Sequence, residues 1–380
     1  MGANALCATR RKEAVAFEHV KDSAKSLVTL GPARKDHWIG LRTAVGIFAP
    51  MIILLAINRM DLVIFAVFGA FTGVYGRVDG CWNRLRMQVR SGALFFAVIA
   101  AALAASNFWI DHADPEVKQW QIVGATTLVA GICSVAAGFM RLRPTGSLFH
   151  IFAFAAVASI PNPAPAWQGL LVAVLTIALA IGIGAAGAIG QWTNLWQRTS
   201  LPPLSDNVRT AIWWEGLFYI LTAGAAGALA NSLGSSLSAG HNYWAMVAAV
   251  VPLVGHTTKL RLHRGIHRVL GTLVGLILMV LVILANPPLW MLLALIGFFQ
   301  FMAEMLVMRN YFMAQIFITP LALVGVSLAS GLSTAVIYDR MVETMIGSLV
   351  GIFGVLLGSW FGGIMRKRVR NEPPNPASGT

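Results

Sequence analysis

The sequence predicts an all-α membrane protein: about twelve transmembrane helices in two parallel six-helix repeats, with both termini cytoplasmic. Three observations predict it. Apolar residues make up 57% of the 380 positions and charged residues 11%, about half the charge of an ordinary soluble domain. The apolar residues fall into segments too many and too long for the core of a soluble globule. When these segments are threaded back and forth, almost every Lys and Arg falls on one side, as cytoplasmic loops require. This composition excludes a disordered chain, a nucleic-acid-binding domain and a typical soluble enzyme, so no enzyme activity is expected.

Residues 1–36 are mixed and charged, without the apolar core of a signal peptide. Val15, Phe17, Val20, Ala24, Leu27 and Val28 recur near helical spacing among Lys12, Glu13, Lys21, Asp22 and Lys25. A short amphipathic helix on the cytoplasmic lipid surface is one reading and a loose basic tail the other. Apolar segments are then predicted over 37–57, 62–76, 88–106, 120–140, 147–160 and 167–190, forming a first repeat over 37–190. A linker over 191–207 carries Pro202 and Pro203. The second repeat, 208–364, holds segments over 208–233, 243–256, 266–285, 289–306, 311–330 and 341–364. The remainder, 365–380, opens on the basic run Arg366-Lys367-Arg368-Val369-Arg370 and reads as a disordered tail. With the N-terminus inside, all 28 Lys and Arg residues except Arg59, Lys118 and Arg340 lie inside. That bias, and not nucleic-acid binding, accounts for the net charge of +13. The expected location is the plasma membrane.

The chain repeats itself. Arg42-Thr43-Ala44 opens the first segment and Arg209-Thr210-Ala211 the seventh. Gly76 and Gly92 are 16 residues apart, as are Gly255 and Gly271. His150 in segment five corresponds to Gln315 in segment eleven. Both repeats start inside, so their pseudo-twofold axis is expected along the membrane normal. Segments two and eight, at about 14 residues, reach ~21 Å as straight helix, short of the ~30 Å hydrocarbon layer. Gly73, Gly76, Pro252 and Gly255 interrupt them, Pro161 ends segment five and Pro320 lies in segment eleven. Interrupted segments at matching places point to a binding site between the repeats; short, tilted packing helices are the alternative.

Charged and polar residues within apolar segments are the candidate site. Arg42, Arg209, Arg268 and Arg309 are candidates to hold an anion bidentately, or else to anchor helices at the lipid surface. Asn310, Gln315, Thr319 and His150 are candidates to hydrogen-bond the same ligand. Glu215, His150 and Glu304 are candidates to carry a proton; the alternatives are pairing of Glu215 with Arg209 and of Glu304 with Arg309. Asp61 and Glu343, near the ends of their segments, are expected to be solvated. His256, His263 and His267 share a basic stretch with Lys259, Arg261, Arg264 and Arg268, read as an inner loop that attracts anions or headgroups. No metal site, disulfide framework or cofactor is expected, since Cys7, Cys81 and Cys133 are scattered and no nucleotide loop occurs. Segment twelve has glycines at 347, 351, 354, 358 and 362, and segment six at 182, 184, 187 and 190. These suit close packing within the bundle or a homodimer seam.

Asn242-Tyr243-Trp244-Ala245 precedes Arg268-Val269-Leu270-Gly271-Thr272. Asn310-Tyr311 and Phe317-Ile318-Thr319-Pro320-Leu321-Ala322-Leu323 follow, then Asp339-Arg340, Glu343-Thr344 and Gly347. In this order the motifs resemble the fusaric acid resistance protein-like family of integral membrane transporters. The resemblance covers about 208–362 and is weaker over 37–190. It implies export of small organic anions, aromatic or other weak carboxylic acids, with protons and membrane lipids as the other partners. Distant similarity to aluminium-activated malate transporters implies a passive anion channel as the alternative. A non-transport membrane scaffold or lipid-handling factor is the third reading. Unlike the family's larger members, this chain has only a short linker between its halves.

Overall fold

The computed structural model describes residues 27–33, 36–77, 79–159, 164–186, 203–237, 243–255, 257–330 and 335–371. Within them the chain is helical, with no strand. Twelve helical segments follow one another. The first six are α1 (Asp36–Ala56), α2 (Met60–Val74), α3 (Cys81–Ile110), α4 (Pro115–Phe139), α5 (Leu148–Ser159) and α6 (Ala166–Ala186). The second six are α7 (Asp206–Leu237), α8 (Tyr243–Leu253), α9 (Thr258–Ala285), α10 (Leu289–Leu306), α11 (Tyr311–Ser330) and α12 (Ala335–Asn371). Among the described residues, nine are long and apolar enough to cross a membrane. The other three, α2, α5 and α8, are shorter. The protein is therefore a multi-pass membrane protein, in which helices satisfy backbone groups that lipid cannot.

Helix ends follow local chemistry. Thr257 caps α9 by accepting from the Leu260 amide at 3.2 Å. Pro115 opens α4, where its missing N–H costs nothing. α2 and α8 both tighten to 3-10 geometry, over Phe71–Val74 and Val251–Leu253. In each, an arginine from the next helix then binds the glycine that follows. Arg84 Nε donates to the Gly76 carbonyl at 3.4 Å and Arg261 Nε to the Gly255 carbonyl at 2.9 Å. Gly76 has φ +69°, a conformation that suits glycine. Gly73 and Pro252 thus lie in the terminal 3-10 turns of α2 and α8, and Gly76 and Gly255 just beyond them. Pro320 ends no helix, because α11 runs through it; Pro161 lies outside the described residues.

The packing pairs come in matched sets. α1 lies along α10, and α7 along α4. α3 meets α5 and α6, and α9 meets α11 and α12. α2 packs on α6, and α8 on α12. α5 touches α8, and α11 touches α2. Close approach rests on glycine. Gly347 and Gly351 of α12 meet the Ala245 and Ala249 backbone of α8, while Gly271 and Gly275 of α9 meet Gln315 and Thr319 of α11.

Several boundaries depart from the sequence expectation. α3 and α9 begin well before the apolar run, so Arg84, Arg86, Lys259, Arg261, Arg264 and Arg268 are helical, not in loops. α12 runs to Asn371, which puts the basic run 366–370 on a helix instead of a disordered tail. The amphipathic stretch over 1–26, most of the linker, His256, and Gly187 and Gly190 lie outside the described residues.

Candidate functional site

Near mid-length of α9, three buried side chains of that helix and α11 form one network around Arg268. Arg268 Nη1 donates to Gln315 Oε1 at 3.0 Å. Gln315 Nε2 donates to Thr272 Oγ1 at 3.3 Å and Thr319 Oγ1 at 3.2 Å. Thr319 Oγ1 donates back to the Gln315 carbonyl at 2.9 Å. All four residues are buried. Gly271 and Gly275 let α11 approach closely enough for this, since a Cβ at either would lie within 2.8 Å of α11 atoms. Among the described residues no carboxylate forms an ion pair with Arg268. A buried guanidinium held by one neutral amide is a site in which an anion gains strongly.

α12 completes the surroundings. Arg340, Glu343, Thr344, Gly347, Ser348 and Gly351 recur at helical spacing and form one stripe. Arg340, Glu343, Thr344 and Ser348 are all buried, Glu343 fully. The Arg340 guanidinium stacks 3.8 Å from the Trp244 ring centroid on α8. This corrects one expectation: Glu343 is buried, not solvated, and Arg340 is buried one turn before it. The sequence singled out neither as a site residue. The signal was there, in two opposite charges one helical turn apart at the head of an apolar helix.

The other expected residues divide into three groups. Arg42 of α1 sits with Arg77 and Glu304 at the α1–α10 seam. Arg77, in the turn after α2, bonds the Glu304 carboxylate and carbonyl and lies 3.7 Å from Asp36. Gln300 adds a 3.4 Å bond to Glu304. The partner of Glu304 is thus Arg77, not Arg309. Arg309 and Asn310 instead clasp the N-terminal stretch. Arg309 Nε donates to the Gly31 carbonyl at 3.0 Å, and Asn310 Nδ2 to the Leu27 and Thr29 carbonyls at 2.7 and 3.1 Å. The third group stands apart. Arg209 is largely exposed and 3.8 Å from Asp206. Glu215 is half-buried, and the charge acting on it is Arg261, not Arg209. Asp61 is partly exposed and paired with Arg59 at 2.9 Å.

His150 is buried in an aromatic cage. Its ring stacks on Phe95 at 4.6 Å and lies 6.1 Å from Tyr75. Neither ring nitrogen has a hydrogen-bond partner among the described residues. His263 and His267 stack at 6.1 Å on α9. No group of three metal-binding side chains occurs among the described residues.

The polar network falls within a recognisable stretch. Residues 225–354, from within α7 to within α12, match the family model described as fusaric acid resistance protein-like. Over that stretch the chain is similar to this family. Arg268, Gln315, Thr319, Arg340 and Glu343 all lie in the fusaric acid resistance-like stretch; His150 does not. A similar protein is the uncharacterized membrane protein YvaC of Bacillus subtilis (strain 168), 29% identical over 161 residues. The match covers 41% of this chain and 26% of YvaC, so it spans about a quarter of that relative's length. No solved structure matches the chain.

Proposed function

We propose that this protein exports small organic anions, aromatic or other weak carboxylic acids, across the plasma membrane by proton-coupled alternating access. The observation that carries the reading is the buried Arg268–Gln315–Thr272–Thr319 network near mid-length of a spanning helix. A fixed guanidinium without a carboxylate partner there favours an anionic cargo over a cationic or neutral one. The matched packing pairs support two parallel six-segment repeats related by an axis along the membrane normal. In this arrangement α2, α5, α8 and α11 meet between the repeats, and the positive-inside bias sets both termini in the cytoplasm. The exchange of α1 and α7 across the halves gives each half a lever on the other. Arg77 and Glu304 would tie the halves at the α1–α10 seam, and breaking that tie would open it. Glu215 is the candidate proton carrier.

A passive anion channel is the second reading. It is favoured by the cage around His150, which offers that imidazole no partner to pass a proton to. Purified protein in liposomes, supplied with 4-hydroxybenzoate with and without a pH gradient, separates the two. Accumulation only with the gradient is expected. Downhill flux with a large current would make the protein a channel, and no flux of any weak acid would overturn both readings.

A further inference from the structure

The Arg268 network uses only part of the buried charge beside it. Arg340 lies within electrostatic reach of one further cation, Arg268, one carboxylate, Glu343, and the phenols Tyr243 and Tyr311. Asp339 is buried too, but its side chain departs about 100° round the helix from that of Arg340. Around Arg340, its own guanidinium and that of Arg268 outnumber the one carboxylate within reach, leaving one positive charge in excess. Both are almost completely buried, Arg268 at 3% and Arg340 at 1% exposure. Arg268 Nε, Arg340 Nε and Arg340 Nη1 have no hydrogen-bond partner among the described residues. The same holds for Thr344 Oγ1 and Ser348 Oγ, further along the α12 stripe, and for Trp244 Nε1. Each such donor left unmet costs about 1–3 kcal/mol, so their clustering marks a place built for an acceptor that the chain does not itself supply.

On the other side of Arg340 the surroundings turn aromatic. Its guanidinium covers one face of Trp244. Trp244 contacts Phe152 of α5 at 4.8 Å and Tyr243 at 4.9 Å. Phe152 in turn meets Phe68 of α2 at 5.0 Å. A wall of rings thus runs from the cationic pair in the second six segments into the first six.

We propose that Arg268 and Arg340 together bind the carboxylate of an aromatic monoacid, whose ring stacks on the Trp244–Phe152 wall. The site deepens, and rests on, the transport reading. A monoanion cancels the excess charge and takes up the free guanidinium donors, while the wall accepts a flat ring edge-on or offset. A dianion would leave the site negative, and a neutral aromatic would leave the donors unmet. Glu343 competes with the ligand for Arg340.

Isothermal titration of benzoate and benzyl alcohol into the full-length protein in detergent tests this without requiring transport. Benzoate is expected to bind more tightly than the uncharged alcohol. Arg340→Lys keeps the charge but loses the planar donors and should weaken benzoate about tenfold or more, with benzyl alcohol unchanged. Glu343→Gln removes the competitor and should tighten benzoate severalfold, a gain that a merely structural disturbance would not produce. Lys118→Gln serves as a remote control. Benzoate affinity unchanged in Arg340→Lys, or weakened in Glu343→Gln, would overturn the two-arginine site. Wild-type binding without flux in liposomes would instead overturn the transport reading and leave the site standing.

Discussion

His150 sits where α5 meets α3, and Gln315 where α11 meets α9, two contacts that correspond across the bundle. Their surroundings are opposite. Gln315 takes a bond from Arg268 and gives bonds to two threonines. His150 has Phe95 against its face, Tyr75 nearby and no hydrogen-bond partner among the described residues. The seams differ in the same way. Where α1 meets α10, Arg77 reaches Glu304 and Asp36. Where α4 meets α7, Gly131 and Gly138 lie against Ile220 and Ile212. Matched packing therefore carries unmatched chemistry. The helix pairs are dictated by backbone proximity and small residues, whereas polar side chains can be placed on one set alone. A ligand held between unlike halves can meet charge on one side and aromatic rings on the other.

The largest expected effect comes from erasing the charged side of that difference. Arg268→Gln should cut organic-acid flux by roughly 10- to 100-fold, the worth of a lost charge-assisted hydrogen bond, at unchanged protein yield. Liposome uptake reads it. Next comes the charged seam. Glu304→Ala removes the nearer carboxylate of the partly buried Arg77, leaving it Asp36 at 3.7 Å, and should cost about 3–5 kcal/mol of stability, seen as an earlier thermal transition in detergent. The same truncation of Ile212 at the apolar seam should cost less, about 2–4 kcal/mol for lost packing.

The apolar helices were legible in the sequence because lipid demands continuous apolar helical segments. What could not be read was which polar residues meet. Glu343 lies near the start of an apolar run and reads as a boundary residue, yet it is fully buried. Arg309 and Asn310 read as ligand groups, yet their partners, Leu27, Thr29 and Gly31, lie far away in the sequence. The early starts of α3 and α9 were hidden by arginines whose stems lie along helix while their heads bind carbonyls. Hydropathy sees the average of a segment, and the site depends on one stripe of it.

The aromatic side predicts a gain. His150→Phe removes two buried nitrogens without hydrogen-bond partners and should hold or raise stability by about 1–2 kcal/mol. A fall of that size would mean that His150 has a polar role after all. The smallest effect is expected at the partly exposed Arg59–Asp61 pair, where Asp61→Asn should leave the thermal transition unmoved, since exposed pairs contribute little.

The most direct test sets the corresponding positions side by side. Uptake of 4-hydroxybenzoate is measured in liposomes holding wild type, Gln315→Leu or His150→Leu at equal protein density. Loss of most uptake in Gln315→Leu with near wild-type uptake in His150→Leu is expected. Equal losses, or loss confined to His150→Leu, would contradict an anion path through the Arg268 network.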